Sequence, residues 1–362
     1  MQADPANRRL TYAQALQEAT EQVMASDPRV IVIGEGVPDP KAIFGTTAHL
    51  RERFGAQRVF DMPLSENALT GVCIGAALAG MRPVMVHQRI DFALLAMDQL
   101  VNNAAKWHFM FNGQGRVPLV VRMIVGRGWG QGPQHSQGLH SLFAHVPGLR
   151  VVLPSNPHDA KGMFLAAVRD DNPVIFVEHR WTHGLVDDVP AGDYDVPLDR
   201  ARVLREGTQL TIAGFSLAIV EALHLARVLA PHGIDIEVLD MRSARPLDAE
   251  ALLGSVKKTG RLIAVDAGWA QCGLASELVA RAATGAFGDL RAAPAWLAYP
   301  DQPSPTSPHL ARHYFPETPQ LLDLVLQQLG CALPAGTMEA VLEGIARKGP
   351  VDVPNDRFTG PF

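Results

Sequence analysis

Short apolar runs alternate with longer stretches whose apolar residues recur every three or four positions, and this alternation persists to about residue 180. Thr11-Tyr12-Ala13-Gln14 has the spacing of a capping box, and Ala13, Leu16, Ala19 and Val23 put one apolar face on a helix that ends at Ser26, before Asp27-Pro28. Val30-Ile31-Val32-Ile33 is an uninterrupted apolar run, which predicts a strand covered on both faces. The same reading gives a helix near Thr46 to Phe54 and strands at Pro83 to His87, Val117 to Val125, Leu149 to Leu153 and Pro173 to Val177. It also gives helices from Asp91 to about Phe111 and from Pro157 to Arg169. Such alternation predicts an α/β fold of right-handed βαβ units around a mostly parallel sheet, with function in the loops at the strands' carboxyl ends.

From Leu185 to Glu206 the pattern dissolves into Asp, Pro and Gly, then restarts. Strands are predicted at Gln209 to Ala213, Ile234 to Leu239 and Arg261 to Val265. Helices are predicted at Ser216 to Leu229, Asp248 to Lys257, Gly273 to Ala283 and Thr318 to Leu329. The expected organisation is a first domain over 1–185, a linker over 186–207, a smaller α/β domain over 208–330 and an extension over 331–362. In the extension, Met338 to Arg347 reads as a short helix followed by Pro-rich extended chain.

Two stretches carry candidate chemistry. From Arg58 to Gly80 a short strand runs through a Pro turn into a helix of small residues, with Glu66 at its mouth. Gly71, Gly75, Ala76 and Ala79 recur at helical spacing, so another backbone can approach closely, as in a subunit seam. By position alone, the favoured reading of Glu66 is an acid complementing the helix dipole. The second stretch is the Gly-rich loop from Gly126 to Gln137, read as too flexible and polar to join a core, in which His135 by itself is an ordinary solvated histidine.

At 362 residues, 47% hydrophobic and 19% charged, the chain has the make-up of a soluble globular protein with two cores. A net charge of −5 without a long basic run excludes nucleic acid as the expected partner. Cys73, Cys272 and Cys331 form no CxxC pair and read as buried, reduced packing residues. The polar N-terminus has no apolar signal core and no segment reaches the length of a membrane span, so the expected location is cytoplasmic.

The stretch around Glu66 resembles the Thr-Pro-Ile-Ser-Glu region of the β subunits of thiamine-diphosphate-dependent 2-oxoacid dehydrogenases, the E1 component, and the likeness runs from about Thr11 to about Leu329. Gly214-Phe215-Ser216, Asp240 to Asp248 and Ser255 to Leu262 carry it through the second half. The resemblance implies a pyrimidine-binding domain followed by a smaller domain of the transketolase C-terminal type. It implies thiamine diphosphate with Mg²⁺ as cofactor, Glu66 as the acid on the pyrimidine N1′, Phe92 as the aromatic under that ring, and His135 as a catalytic proton donor on the substrate side. The segment His87 to Asp91 departs from the family, which has an acid followed by aromatic and apolar residues there. Arg89 therefore brings a charge to the expected pocket.

The resemblance also implies a potassium ion on main-chain oxygens of Leu119, Ala167, Val168, Asp170 and Asn172, where an ordinary helix C-terminal turn is the competing reading. Family members hold the diphosphate and Mg²⁺ with a Gly-Asp-Gly stretch and a later Asn. This chain has no Gly-Asp-Gly. A separate α subunit, in an α2β2 assembly, is therefore expected to supply those ligands. The expected reaction is oxidative decarboxylation of a 2-oxoacid with acyl transfer to the lipoyl carrier of an E2 partner. An acetoin-cleaving or transketolase-like two-subunit enzyme is the alternative with the same cofactor, and a noncatalytic assembly module the alternative without one.

Overall fold

The computed structural model describes residues 7–39, 43–128, 130–347 and 353. The chain forms two compact units, the first over described residues to 126 and 135–198, the second over 127–134 and 199–347. The Pro-rich tail expected beyond Arg347 lies outside the described residues, Val353 apart. No helix of the described residues is long and apolar enough to cross a membrane.

The first unit opens with strand β1 (Asn7–Thr11) and helix α1 (Tyr12–Ser26). Both hydrogen bonds of the capping box are present: Gln14 N–H donates to the Thr11 hydroxyl at 3.1 Å, and Thr11 N–H to Gln14 Oε1 at 2.9 Å. Strands β2 (Val30–Gly34), β3 (Val59–Phe60), β4 (Arg82–His87), β5 (Val120–Val125), β6 (Arg150–Val152) and β7 (Val174–His179) lie side by side in the order β6-β7-β5-β4-β2-β3. Each of these neighbouring pairs is parallel. Every residue of β5 and β7 is buried, as expected for strands covered on both faces. Helices α2 (Leu50–Phe54), α3 (Glu66–Leu78), α4 (Ile90–Ala93), α5 (Ala105–Met110), α6 (His140–Ala144) and α7 (Pro157–Arg169) follow the strands, and α7 packs on α1.

Three expectations need correction here. The helix predicted from Asp91 to Phe111 is broken into α4, a 3₁₀ turn at Leu94–Ala96, a π turn at Gln99–Ala104, and α5. Its buried face runs through Ile90, Ala93, Ala96, Leu100 and Ala104. The helix expected from Thr46 is confined to Leu50–Phe54, because Ile43, Phe44 and His49 take positive φ angles of 46°, 59° and 61°. The stretch read as a linker contains two strands, β8 (Val186–Pro190), antiparallel to β1, and β9 (Arg202–Arg205). Three of the five residues of β8 are exposed, so this edge strand has no alternation to read.

In the second unit, strands β10 (Leu210–Gly214), β11 (Ile236–Asp240), β13 (Leu262–Trp269) and β14 (Ala295–Tyr299) join β9 in the order β14-β13-β10-β11-β9, with β9 antiparallel and the rest parallel. A short strand, β12 (Ser243–Arg245), follows β11. Helix α8 (Ser216–Leu229) spans the predicted residues, and α9 (Ala249–Thr259) and α10 (Leu274–Gly285) start one residue after their predicted first residue. Asp248 caps α9, its side chain accepting from Ala251 N–H at 3.1 Å. After α11 (Pro308–Tyr314) and α12 (Thr318–Leu329), the last described helix is α13 (Ala335–Ile345), whose Val341 and Ile345 are buried in the core that α8 and α12 make with the sheet. The thiols divide: Cys73 is buried as expected, but Cys272 and Cys331 are exposed.

Candidate active site

In the parallel register of β2 and β3, Val32 lies beside Val59 and Ile33 beside Phe60, so the two chains leave the sheet together. Glu35 and Asp61 follow at once, and Glu66 opens α3 five residues after Asp61. Gly36 N–H donates to Asp61 Oδ1 at 3.0 Å, and Gln88, just past β4, donates from Nε2 to the Glu35 carbonyl at 3.0 Å. Glu66 opens α3, is 6% exposed, and its carboxylate makes no hydrogen bond to any described residue. Glu35 Oε1 is buried and lacks a hydrogen-bond partner among the described residues. Burial pushes the Glu35 carboxyl above its ordinary value, and the nearby charges of Glu66 and Asp61 push it further. The sequence reading missed Glu35. Its signal was there, in Gly34-Glu35-Gly36 at the carboxyl end of a buried strand.

A second group forms past β4 and β5. The rings of Phe92 and His135 meet edge to face with centroids 5.4 Å apart. Gln137 donates from Nε2 to Asp91 Oδ1 at 2.7 Å, so the residue two past His135 is tied to the residue before Phe92. Burial pushes the Asp91 carboxyl up while the Gln137 hydrogen bond and the His135 charge act against that push. The departing segment His87 to Asp91 thus builds this contact. Burial holds His87 down at about 4, so its ring is neutral near pH 7. Arg89, expected as a charge in the pocket, is 1% exposed; its guanidinium lies 5.6 Å from the centre of the Phe44 ring and donates to the Gln88 carbonyl at 2.6 Å.

The Gly-rich loop is packed rather than free. Arg127 is 5% exposed, and Gly132 is buried. A Cβ on Gly132, whose φ is +66°, would stand 2.4 Å from Thr306 Oγ1, so only glycine fits that approach.

Beneath the site, a buried network joins the strands. Arg122 on β5 makes a two-point bond to Glu178 on β7, with Nε to Oε1 at 2.6 Å and an Nη to Oε2 at 2.9 Å, and also reaches the Thr46 hydroxyl at 2.9 Å. His183 meets the same carboxylate at 3.0 Å. Burial alone would push Glu178 up; the Arg122 charge and the hydrogen bonds from His183 and Arg122 outweigh it and hold the carboxyl at about 2.

At the end of α7, several of the oxygens considered for potassium already accept hydrogen bonds. Arg82 donates to the carbonyls of Val168 and Asp170 at 2.9 and 3.0 Å, and Val174 N–H donates to the Leu119 carbonyl at 2.8 Å. Asn172 turns its side chain onto Asp170 Oδ1 at 2.7 Å. The turn therefore carries a fixed guanidinium charge of its own.

Residues 8–183 match the family described as Transketolase, pyrimidine binding domain, and residues 199–321 match Transketolase, C-terminal domain. These two matches define a transketolase-like two-domain chain. Among curated relatives, the β subunit of acetoin:2,6-dichlorophenolindophenol oxidoreductase of Cupriavidus necator is 41% identical over 324 residues, covering 87% of this chain and 96% of the relative. The β subunit of the pyruvate dehydrogenase E1 component of Rickettsia felis is 38% identical over 316 residues, 87% of this chain and 97% of the relative. The β subunit of 2-oxoisovalerate dehydrogenase of Bacillus subtilis is 39% identical over 322 residues, 88% and 98%. The chain belongs to this family of E1-type β subunits of thiamine-diphosphate-dependent enzymes. A solved structure titled split gene transketolase, inactive beta4 tetramer, shares the fold at a TM-score of 0.69 and 20% identity, over 89% of this chain and 98% of that one.

Proposed function

We propose that this chain is the β subunit of an α2β2 enzyme that decarboxylates a 2-oxoacid and passes the acyl group to a lipoyl carrier. The observation that carries the proposal is Glu66, the first residue of a helix, which is 6% exposed and whose carboxylate makes no hydrogen bond to a described residue. A carboxylate left open to a ligand in this position is a fitting hydrogen-bond partner for a pyrimidine nitrogen. Thiamine diphosphate, when bound, supplies a carbon nucleophile for the 2-oxo carbonyl. Glu66 would hold and exchange a proton at N1′, and Glu35, whose buried Oε1 lacks a hydrogen-bond partner among the described residues, would act on it through its charge. Phe92 would support the pyrimidine face. His135, braced against Phe92, would give a proton to the substrate oxygen, with Gln137 and Asp91 fixing its loop.

The face of α3 away from the sheet supports a partner subunit. Among the described residues outside the α3 backbone, nothing lies within 4 Å of where a Gly75 Cβ would be, and at Gly71 the Gln99 side chain comes near, at 3.4 Å. Val72, Leu94, Leu95, Phe109 and Met110 are exposed large apolar side chains on the same helix and the segment after β4. An α subunit there would bring the diphosphate and Mg²⁺ ligands. A potassium ion at the α7 turn belongs to the reading only alongside Arg82, on the second lone pairs of those carbonyls; a higher unfolding temperature in KCl than in choline chloride would support it. The expected location is the cytoplasm.

Acetoin cleavage on the same site is the second reading, favoured by the 41% identity to the acetoin oxidoreductase β subunit. The deciding experiment is to reconstitute the chain with its α subunit and assay 2-oxoacids and acetoin with an artificial electron acceptor. Turnover of neither class would leave the noncatalytic reading in its place.

A further inference from the structure

In the second unit a cavity of about 450 Å³ is lined by residues that come just before β10, β11 and β13 and by the chain that leaves α12. That volume falls in the range of about 300–1,000 Å³ found for small-molecule sites. The lining lies wholly within the second unit, and none of it is assigned to the candidate active site. The wall from Leu329 to Pro334 follows the C-terminal domain match, which ends at residue 321, and runs on into α13, whose Val341 and Ile345 are buried.

Arg261 supplies the charge of this cavity. Its Nε donates to the Gln328 carbonyl at 2.9 Å and an Nη to the Gln209 carbonyl at 3.3 Å, so the end of α12 fixes the guanidinium and offsets part of its charge. No carboxylate completes it: Arg261 makes no ion pair among the described residues, and no Asp or Glu lines the cavity. Asp235, beside the lining residue Ile234, turns its carboxylate to Arg205 and Thr208, at 3.0 and 2.9 Å. Arg291 packs over Gly260, where a Cβ would stand 2.8 Å from its Cδ, and it too makes no ion pair among the described residues. The floor is apolar. Ile234 is buried in the core of the unit, and Leu329 and Leu333 pack on that core. A guanidinium held at one side of such a floor suits a ligand with one planar anionic group and an apolar body, because the remaining N–H groups match a carboxylate in two-point geometry. A free phosphate would leave the floor in water.

We propose that this cavity is a binding site for a small monocarboxylic acid with an apolar tail, the carboxylate on the free N–H groups of Arg261 and the tail on Ile234, Leu329 and Leu333.

Two thiols provide a reporter and its control. Cys331 is exposed and stands in the cavity wall, whereas Cys272, also exposed, precedes α10 and is not part of the lining. The full chain is alkylated with the neutral reagent iodoacetamide in the presence of butanoate, hexanoate or octanoate, with hexanol and inorganic phosphate as controls, and each thiol is followed by peptide mass spectrometry. An acid at roughly ten times its dissociation constant should slow the labelling of Cys331 about tenfold and leave Cys272 unchanged. Hexanol and phosphate should do far less. Arg261→Gln should remove the protection. Leu333→Trp fills the cavity and leaves the two carbonyl bonds of Arg261 in place, so it should abolish binding of the acid in saturation-transfer NMR, and it decides the matter if Arg261→Gln does not fold. Labelling of Cys331 that none of the three acids slows in a saturable way overturns the site. Equal protection by hexanol overturns the role of Arg261, and equal protection by phosphate that of the apolar floor. Equal slowing of both thiols also overturns the site, since the acids would then act on the reagent or on the whole chain. Labelling needs no turnover, so none of these outcomes depends on the reaction proposed above.

Discussion

Gln137 donates to Asp91 across 2.7 Å, and the bond fixes His135 edge-on to Phe92. Replacing Gln137 with Leu should remove a hydrogen bond to a nearly buried carboxylate, costing about 1.5–3 kcal/mol locally. The expected signature is a kcat lowered roughly ten- to a hundredfold by a misaligned His135, with cofactor affinity and C2 proton exchange retained. His135→Ala should show the same split. Full turnover in either variant would mean that the ring pair is only packing.

Glu66→Gln should nearly abolish hydrogen–deuterium exchange at the cofactor C2 in the assembled enzyme, because an amide cannot trade a proton with N1′. Folding and assembly should persist. Wild-type exchange would remove Glu66 from the mechanism.

Glu35 offers a test by titration. Its carboxyl is raised first by burial and then by Glu66 and Asp61, so Glu66→Gln should lower the Glu35 midpoint without returning it to the ordinary value. The sign for stability follows. A carboxyl raised in the folded state opposes folding above that raised value, and the penalty fades as pH falls toward the unfolded value of about 4.3. Glu35→Gln should therefore be more stable than wild type near neutral pH, with the advantage gone in acid. A Glu35 carbon signal titrating like an exposed glutamate would rule this out.

The elements legible in the sequence were those with a strong period or a clear cap, such as α1 with Thr11 and Gln14, α8, and the buried strands β5 and β7. Most of what escaped lacked a local signal. Strand β8 is mostly exposed, and the segment from Ile90 to Met110 keeps a helical apolar period although its pitch changes. The Gly-rich loop looked free because its partners, Thr306, Phe315 and Glu317, lie far along the chain. Glu66, Phe92 and His135 were proposed by resemblance. Glu35 had a local signal in Gly34-Glu35-Gly36, but its place beside Asp61 needed the β2–β3 register.

Buried Glu178 anchors Arg122 under the site, so Glu178→Gln should leave a buried guanidinium short of a counter-charge and cost about 3–5 kcal/mol, read as a lower urea midpoint. Exchanging both residues for apolar ones of similar size should cost much less. Because the folded carboxyl is held at about 2, its contribution is complete above the unfolded value and is lost as pH falls from there toward 2. A Glu178→Gln variant as stable as wild type at pH 7 would contradict the network's role.

Assembly gives the last prediction. The α3 face around Gly75 is open in this chain, so Gly75→Leu should not disturb the fold and, by helix propensity, should favour α3 by several tenths of a kcal/mol. In a seam with an α subunit, the same side chain would hold the two backbones apart. Sedimentation of the mixed subunits should show weakened association, while the variant alone melts no lower than wild type. The cofactor should behave in parallel. If Mg²⁺ accompanies it, as proposed, the diphosphate and that ion would dominate attachment through charge, and this sequence has no Gly-Asp-Gly stretch to hold them. The isolated chain, titrated calorimetrically with thiamine diphosphate and Mg²⁺, should therefore bind weakly or not at all, and binding should appear when the α subunit is added. Micromolar, stoichiometric binding by this chain alone would mean that it is a self-sufficient site and not half of a shared one.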